Sequence, residues 1–341
     1  MYGERSQRIG LVNRRPWAAL VASALAVLAV ARADAAEDPA KYPTQPIRMI
    51  VPFAPGGASD FAARNLQPGM SQALGQQVVI ENRPGAAGNI GMDVASRAAP
   101  DGYTIFLGNV GTVSINKSLY KDLTVDPVKA FVGVSLVAET PGLMVAHPKF
   151  PPNNVKELVA YAKANPGKVN YGSPGSGSLN SLEMELFRRN AGLEMTHVPY
   201  KGGAGPATQD TVGGHVHMTL VTISSAIQQV KGGRLKALAV TTRERAPTLP
   251  NVATMVEQGF PDSVSASWQG VLVPAGTPRP IIDKLFVAIG KAMEDEKVRA
   301  RMSDAGIFPV VSKSPEEFKA YLDRDIAKWS RVIEEIGAKP E

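Results

Sequence analysis

The chain has 341 residues, a formal net charge of +6 and no cysteine. Without cysteine there is neither a disulfide nor a lipid-modified cysteine, so a packed apolar core has to hold the fold, and the length suggests two domains. Lysine and arginine are scattered and are not interleaved with aromatic residues, which argues against a nucleic-acid partner.

The N-terminal segment has the layout of a secretory signal peptide. Four arginines precede an apolar run over residues 17–30, and the small-residue stretch ARADAA follows. A membrane-spanning helix needs roughly 20 apolar residues, so a permanent anchor is the weaker interpretation of this shorter run. Cleavage after Ala33 or after Ala35 fits the small-x-small rule equally well. We therefore predict that residues 1–35 are removed and that the protein is exported to the periplasm.

Strand and helix patterns alternate after this segment. PIRMIVPF predicts a buried strand, and ASDFAARNLQPGMSQAL predicts an amphipathic helix behind it. QQVVIENRPG, GNIGMDVASRAAPDGY and TIFLGNVGT continue the series as strand, helix and strand. This rhythm is typical of the α/β class, with a parallel sheet covered on both faces.

The same rhythm begins again after DPVKAFVGVSLVAETPGLMVAHP, which predicts a strand pair broken near Pro141. The helices predicted next are NNVKELVAYAKANP, SLEMELFRRNAG and GPATQDTVGG, and the strands are VNYGS, EMTHVPY, VHMTLVTIS and LKALAVTT. SWQGVLVPAGTP then returns as a strand before two long amphipathic helices. We predict one lobe from residues 36–141 and 264–341, a second from 142–263, and a hinged cleft between them.

Four strand ends break into glycine with hydroxyl or amide side chains, at residues 54–60, 108–114, 172–178 and 200–207. Ligands of open α/β sheets lie outside the carboxyl ends of the strands. Glycine lets the backbone approach a ligand, and the following helix presents unpaired N–H groups and the positive end of its dipole. These loops favour capture of a carboxylate or phosphate, although tight turns in any such fold also use glycine.

Nucleotide, hydrolase and metal motifs are incomplete. GSPGSGS lacks the lysine of the phosphate-binding loop, and YKGGAGP has its lysine ahead of the glycines. Neither the dinucleotide fingerprint nor the Gly-x-Ser-x-Gly elbow is present at these loops. His215 and His217 lie two apart on a predicted strand but have no third ligand near them in sequence. We therefore predict neither a metal nor a cofactor.

Seven motifs that keep family order point to a known family: YPTQPIRMIVPFAPGGASDFAARNL, VVIENRPGAAGNIG, APDGYTIFLG, YGSPGSGS, HVPYKGGAGPATQD, LPNVATMVEQGF and WQGVLVPAGTP. From about Tyr42 to the C-terminus, the chain resembles the substrate-binding receptors of tripartite tricarboxylate transporters, also called Bug receptors. The resemblance implies a type II periplasmic binding-protein fold, a cleft that closes on a small carboxylate, and delivery to a two-component membrane permease. It implies no catalysis, and we expect a monomer.

The resemblance also implies which residues contact the ligand. Lys201 is a weaker candidate than the others, because the lysine of this motif can instead support its own loop. For Asp60 two roles stay open: a structural carboxylate in the first turn of the helix, and a carboxylate that holds a water molecule beside the ligand. The predicted ligand-binding residues are Phe53, Ala54, Gly56, Gly57, Ser59, Asp60, Asn109, Gly111, Thr112, Ser173, Ser176, Ser178, Tyr200, Lys201 and Thr222.

Some positions depart from the family pattern. Ser181 stands where the family often has histidine, His217 stands where it has a first aspartate, and Val221 and Thr222 replace an Asp-Asn pair. Removing a carboxylate from a cleft lowers the cost of holding an anionic or less polar ligand. We therefore expect the ligand to be a carboxylate without an amino group. Carboxylates with a larger apolar or aromatic body belong to this expected class. Two alternatives stay open: a secreted hydrolase or lyase using Asp60 or a loop serine, and a periplasmic sensor subunit serving a sensor kinase.

Overall fold

The computed structural model describes residues 40–200 and 203–339. The predicted signal peptide and Lys201 lie outside these residues. The described residues belong to one compact unit, Pro39–Glu341, so the two-lobe boundaries stay a prediction. No helix in the described ranges is long and apolar enough to cross a bilayer.

Strands and helices alternate along most of the described chain, which confirms the predicted α/β class. The strands are β1 Ile47–Val51, β2 Val78–Asn82, β3 Thr104–Asn109, β4 Phe131–Ala146, β5 Val169–Ser173, β6 Met195–Pro199, β7 Met218–Thr222, β8 Lys236–Val240, β9 Ala266–Pro274 and β10 Phe308–Pro309. The longer helices are α1 Ala58–Leu74, α2 Asn89–Ser96, α3 Val155–Ala164, α4 Leu179–Asn190, α5 Ala204–Gly213, α6 Ile223–Lys231, α7 Arg279–Glu294, α8 Glu296–Asp304 and α9 Pro315–Ile336.

The sheet has two halves that share strand β4. In the first half, β2, β1 and β3 are parallel, and β9 lies antiparallel between β3 and residues 131–141 of β4. In the second half, residues 142–146 of β4 pair with β7 and β8, and β5 lies parallel to β7 and β6. The predicted parallel pairing is present in both halves, and strands β4 and β9 add antiparallel pairs to it.

Strand β4 is continuous through Pro141, which corrects the predicted break at that position. Proline has no N–H to donate and is normally excluded from central strands. Here Pro141 pairs with Ala266 at the end of the β9 ladder, and Gly142 begins the ladder with β7. The missing N–H therefore falls where β4 changes partner, and the strand continues.

Two further corrections concern helices. Strand β7 ends at Thr222 and helix α6 follows at once, whereas the sequence predicted a strand running on to Ser224. After β9 the sequence predicted two helices, whereas the structure has a third, α8, between them. Helix α8 follows α7 after the single residue Asp295, which caps α8 by accepting a hydrogen bond from the Lys297 N–H at 2.8 Å.

Apolar side chains from alternate positions of the strands cover both faces of the first half of the sheet. On one face, Leu107 and Val271 pack with helices α1 and α7. On the other face, Phe106 and Trp268 pack with α9. Helix α4 belongs to the second half by sequence, yet its Leu182 joins that same α9 cluster. A shared core therefore links the two halves in addition to the crossing strands.

Candidate functional site

The strand ends of both halves converge where β4 passes from one half to the other. Asn109, the last residue of β3, lies opposite Gln269 of β9, which lies opposite Ala138 of β4. Thr222, the last residue of β7, lies opposite Gly142 of β4. Four residues of strand span about 13 Å, so the loops that follow β3 and β7 leave the sheet close together.

Asp60 fixes the loop between β1 and α1. Its carboxylate accepts hydrogen bonds from the Gly56 N–H at 2.9 Å, the Arg64 Nε at 2.8 Å and the Asn82 Nδ2 at 3.1 Å. Asn82 also donates to the Phe53 carbonyl at 2.9 Å, so both ends of the loop are held by one network. Because the Gly56 N–H is donated to Asp60, it is not free for a ligand in this conformation.

The charge state of Asp60 follows from these contacts. Burial raises the pKa of its carboxyl, but the hydrogen bonds from Arg64, Gly56 and Asn82 outweigh burial and leave the pKa below its usual value. The group is therefore ionised at neutral pH. Its position in the first turn of α1, bonded back to the loop, gives it a structural role that the sequence had left open.

Helix α1 begins without a side-chain cap. Its N-cap residue is Gly57, which is exposed and carries no side chain to accept from the first-turn N–H groups. Ala54 is also exposed, Phe53 is half-buried, and Ser59 is buried at the start of the helix. The first turn of α1 thus presents N–H groups with no side-chain acceptor, which is the arrangement that binds anions.

The loop after β3 is braced by its own side chains. Asn109 Oδ1 accepts from the Thr112 N–H at 2.9 Å, and Thr112 Oγ1 accepts from the Asn109 N–H at 3.1 Å, which forms a capping box. Thr112 is fully buried, and Gly111 is half-buried between the two. These contacts fix the conformation of the loop at the end of β3.

In the second half of the sheet, serine and threonine side chains follow the strand ends. Ser173 Oγ lies 2.6 Å from His197 Nε2, and Ser178 caps α4 by accepting from the Ser181 N–H at 3.2 Å. Ser176 is exposed in the same loop. Thr222 precedes α6 without capping it, and its Oγ1 lies 3.0 Å from the hydroxyl of Ser225. The second half therefore offers hydroxyl groups and helix N-termini.

Tyr200 directly follows β6 and donates its hydroxyl proton to Asp210 Oδ2 at 2.7 Å. Burial and the Asp210 carboxylate raise the pKa of Tyr200 to about 12, so the phenol stays neutral. Its ring lies against Gly172, where an added Cβ would approach the ring to 3.1 Å. Tyr200 therefore has a well-defined packing role beside the Ser173 loop.

The histidine pair does not form a metal site with other described residues. His215 and His217 precede β7, so the predicted strand position is wrong for both. His217 Nδ1 accepts from the Asn170 N–H at 3.1 Å, its own N–H donates to Asn170 Oδ1 at 2.8 Å, and burial lowers the pKa of its imidazole. Across residues 40–200 and 203–339, no group of three or more histidine, aspartate and glutamate side chains is placed to hold a metal.

A family profile described as the tripartite tricarboxylate transporter family receptor matches residues 62–338. The chain belongs to this receptor family. The receptor is 36% identical to the protein BugT of Bordetella pertussis over 299 residues, which cover 87% of this chain and 91% of BugT. The resemblance inferred from the sequence motifs is thereby confirmed.

Two solved structures extend the comparison to the fold. The receptor is 32% identical to the R. palustris protein Rpa4515, solved with adipate, with a TM-score of 0.73 over 88% of this chain and 100% of that one. It is 33% identical to MatC of Rhodopseudomonas palustris, solved with bound malate, with a TM-score of 0.69 over 86% and 100%. The predicted fold of the periplasmic binding-protein type is confirmed.

The receptor also carries polar residues at the crossing strands that the sequence reasoning missed. Thr241 Oγ1 accepts from the Gly142 N–H and donates to the Ser265 carbonyl, both at 2.8 Å. The Ser265 hydroxyl donates to the buried carboxyl of Glu183, whose pKa burial raises. The sequence does contain a signal for these residues, since polar residues such as Gln269 interrupt otherwise apolar strand patterns. The face of the sheet that they occupy depends on strand pairing, which the sequence pattern does not give.

A separate groove of about 800 Å³ lies between α2, residues 118–124 and residues 338–339. Its lining is mostly apolar and includes Ile90, Val94, Leu119 and Leu123. It contains none of the predicted ligand-binding residues. We place the candidate site at the strand ends because the uncapped first turn of α1 and the hydroxyl groups of the second half lie there.

Proposed function

We propose that this protein is a periplasmic receptor that captures a small organic carboxylate in a cleft between two lobes and delivers it to a two-component membrane permease. The observation that carries the proposal is the uncapped first turn of α1, which opens where the strand ends of both halves converge. A helix N-terminus favours an anion through its free N–H groups and its dipole.

The surrounding chemistry supports binding by neutral donors. None of the predicted ligand-binding residues in the described ranges is basic, and Asp60 is already paired with Arg64. A carboxylate would then be held by backbone N–H groups of Gly57 and its successors, by the Ser59 hydroxyl, and by hydroxyls of the second half. Such a site selects an acid without requiring a salt bridge.

Related receptors point to the ligand class. Adipate in Rpa4515 and malate in MatC are both dicarboxylates without an amino group. The family's Asp-Asn pair is replaced by Val221 and Thr222 at the end of β7, which removes a carboxylate from that strand end and agrees with a ligand that carries no ammonium group. We propose a di- or tricarboxylate, with an aromatic carboxylate as the other member of the class.

Location and partners follow the same proposal. The N-terminal residues 1–35 would direct export and be removed after Ala33 or Ala35. The mature protein would act as a monomer, with lobes formed by residues 36–141 plus 264–341 and by 142–263. A sensor kinase would be the alternative partner if the liganded state is read by a signalling protein.

The test is a thermal-shift screen of the mature protein against mono-, di- and tricarboxylates, including aromatic ones. A ligand that binds only the folded state raises the melting temperature with its concentration. The proposal expects a shift with at least one carboxylate and no chemical change of that compound. Absence of binding to the whole panel would refute it.

A charge at the start of α1 provides a sharper test. Ala58 is exposed in the first helical position, so Ala58→Asp should preserve or slightly raise stability through the helix dipole. The added carboxylate would repel a ligand carboxylate, and we expect affinity to fall at least about tenfold by calorimetry. Ala58→Asn is the matched neutral control and should bind within about threefold of the unmodified protein. Equal affinity of the two variants would place the carboxylate elsewhere.

One contact favours a second candidate, a secreted hydrolase. The 2.6 Å approach of Ser173 Oγ to His197 Nε2 is the spacing of a nucleophile and its base. The Ser173 side chain is fully buried, however, and its hydroxyl already has His197 as a hydrogen-bond partner within the fold. Turnover of a bound ester or amide that is abolished in Ser173→Ala would establish the hydrolase, whereas binding without turnover supports the receptor.

A further inference from the structure

Two buried polar side chains at the crossing strands have unpaired oxygen atoms. Gln269 and Thr140 are each 1% exposed, and neither Gln269 Oε1 nor Thr140 Oγ1 has a hydrogen-bond partner in the described part of the chain. An unpaired buried polar group costs free energy and is rare in folded proteins. Two such groups in adjacent strands call for a partner that the folded chain does not itself supply.

Strand register places both side chains on one face of the sheet. Gln269 lies directly opposite Asn109 on one side and Ala138 on the other, and Thr140 follows Ala138 by two residues. Residues that are opposite or two apart point to the same face. Leu107 lies two residues before Asn109 and Val271 two residues after Gln269, so they share this face, and both pack in one cluster with α1. The polar side chains therefore continue the same face of the sheet beyond the apolar core.

This is also the face on which α1 begins. Helix α1 packs on the core through Ala62, Ala63 and Leu66, and its uncapped first turn follows the carboxyl end of β1. Strands β1 and β3 are parallel, so their carboxyl ends lie at the same edge of the sheet. The unpaired oxygens of Gln269 and Thr140 therefore lie at the edge where the α1 N-terminus would hold a carboxylate.

We propose that Gln269 and Thr140, beside Asn109, form a subsite for an uncharged hydrogen-bonding group of the ligand, such as a hydroxyl. This inference rests on the proposed function and names the substrate class more closely: a hydroxycarboxylate. Rotation of the Gln269 amide exchanges its carbonyl and amino groups, and the Thr140 hydroxyl both donates and accepts. A hydroxyl, which also does both, can satisfy the two side chains together.

The charges around the subsite argue for a neutral group. Glu139 lies on the opposite face of β4, where it accepts from the Tyr321 hydroxyl at 3.2 Å. Asp60 is engaged by Arg64 and by the Gly56 N–H. Neither Glu139 nor Asp60 is therefore free to pair with an ammonium group, and the predicted ligand-binding residues within the described ranges include no basic side chain for a second ligand carboxylate. A neutral polar group avoids both costs.

Matched ligand pairs test the proposal on the mature protein. Calorimetry would compare succinate with malate, glutarate with 2-hydroxyglutarate, tricarballylate with citrate, and phenylacetate with mandelate, using both enantiomers where they exist. We expect the hydroxylated member of the pair that binds to be preferred by about tenfold, because it satisfies groups that the plain acid leaves unpaired. Equal or better binding of the plain member in every binding pair overturns the proposal.

Two substitutions assign the preference to these residues. Gln269→Met and Thr140→Val keep the shape and remove the polar atoms, so each should lower the hydroxyl preference to about threefold or less with little change for the plain acid. Gln229→Met and Thr248→Val are matched controls, since Gln229 Oε1 and Thr248 Oγ1 are also buried and unpaired but lie in the last turns of α6 and in the segment after β8, outside strands β4 and β9. The controls should keep the full preference.

The outcomes separate the two proposals. If no carboxylate of either kind binds, the receptor function itself fails. If carboxylates bind and the preference survives both Gln269→Met and Thr140→Val, the receptor stands and the subsite is wrong. A melting temperature measured for each variant confirms that a changed preference does not come from unfolding.

Discussion

At the residue scale, Asp60 links three donors from different parts of the chain, Gly56, Arg64 and Asn82. Asparagine at this position would offer one acceptor atom and turn an amino group toward donors. We expect Asp60→Asn to lower the free energy of unfolding by about 1–3 kcal/mol at neutral pH. Urea unfolding of the mature protein measures this difference.

The pH dependence of that difference has a defined sign. The pKa of Asp60 is lower in the folded protein than in the unfolded chain, so its ionised form adds stability above the unfolded value of about 4. This stability is lost as the pH falls through the folded pKa. The difference in unfolding free energy between Asp60→Asn and the unmodified protein should therefore disappear over the same pH range. Asp93→Asn is the control, because the Asp93–Arg97 pair has the same spacing but is more exposed and should contribute under about 1 kcal/mol. A gap for Asp60→Asn independent of pH would contradict this account.

At the element scale, Thr241 joins β4 to the segment that enters β9. Its hydroxyl bridges the Gly142 N–H and the Ser265 carbonyl, and the side chain is 2% exposed. Thr241→Val preserves the branched shape but leaves two backbone groups unpaired in the interior. We expect a loss of about 2 kcal/mol or more in unfolding free energy, measured by urea denaturation.

The neighbouring threonine is the matched control for this prediction. Thr242 donates only to the Glu244 carbonyl in an exposed turn. Thr242→Val should therefore change the unfolding free energy by no more than about 0.5 kcal/mol. Equal losses for the two variants would mean that the bridge at Gly142 contributes nothing specific.

The same elements show what sequence patterns predict and what they miss. Helices α1 and α9 were predictable because their apolar residues recur at helical spacing, and the glycine-rich strand ends marked the loops. The continuity of β4 through Pro141 was not predictable, because it depends on β9 and β7, which lie far along the chain. Gln269 and Thr140 were missed for a related reason: whether a buried oxygen finds a partner is a property of the assembled sheet.

At the scale of the whole molecule, helix α4 couples the two halves of the sheet. Leu182 of α4 is 1% exposed and packs in one cluster with Trp329, Val332 and Ile333 of α9. Because the two halves share this core, we expect them to unfold in one transition. Fluorescence of Trp268 and Trp329 reports on the α9 cluster, and far-UV circular dichroism reports on all helices and strands.

Removing the shared contact should separate the halves. We expect Leu182→Ala to cost about 2–5 kcal/mol and to shift the fluorescence and circular dichroism midpoints in urea apart. Leu158→Ala removes an equally buried leucine from a core that lies within the second half, so it should lower both midpoints together. If the midpoints of Leu182→Ala stay coincident, the crossing strands alone hold the halves together, because the α4–α9 contact would then be dispensable for cooperativity.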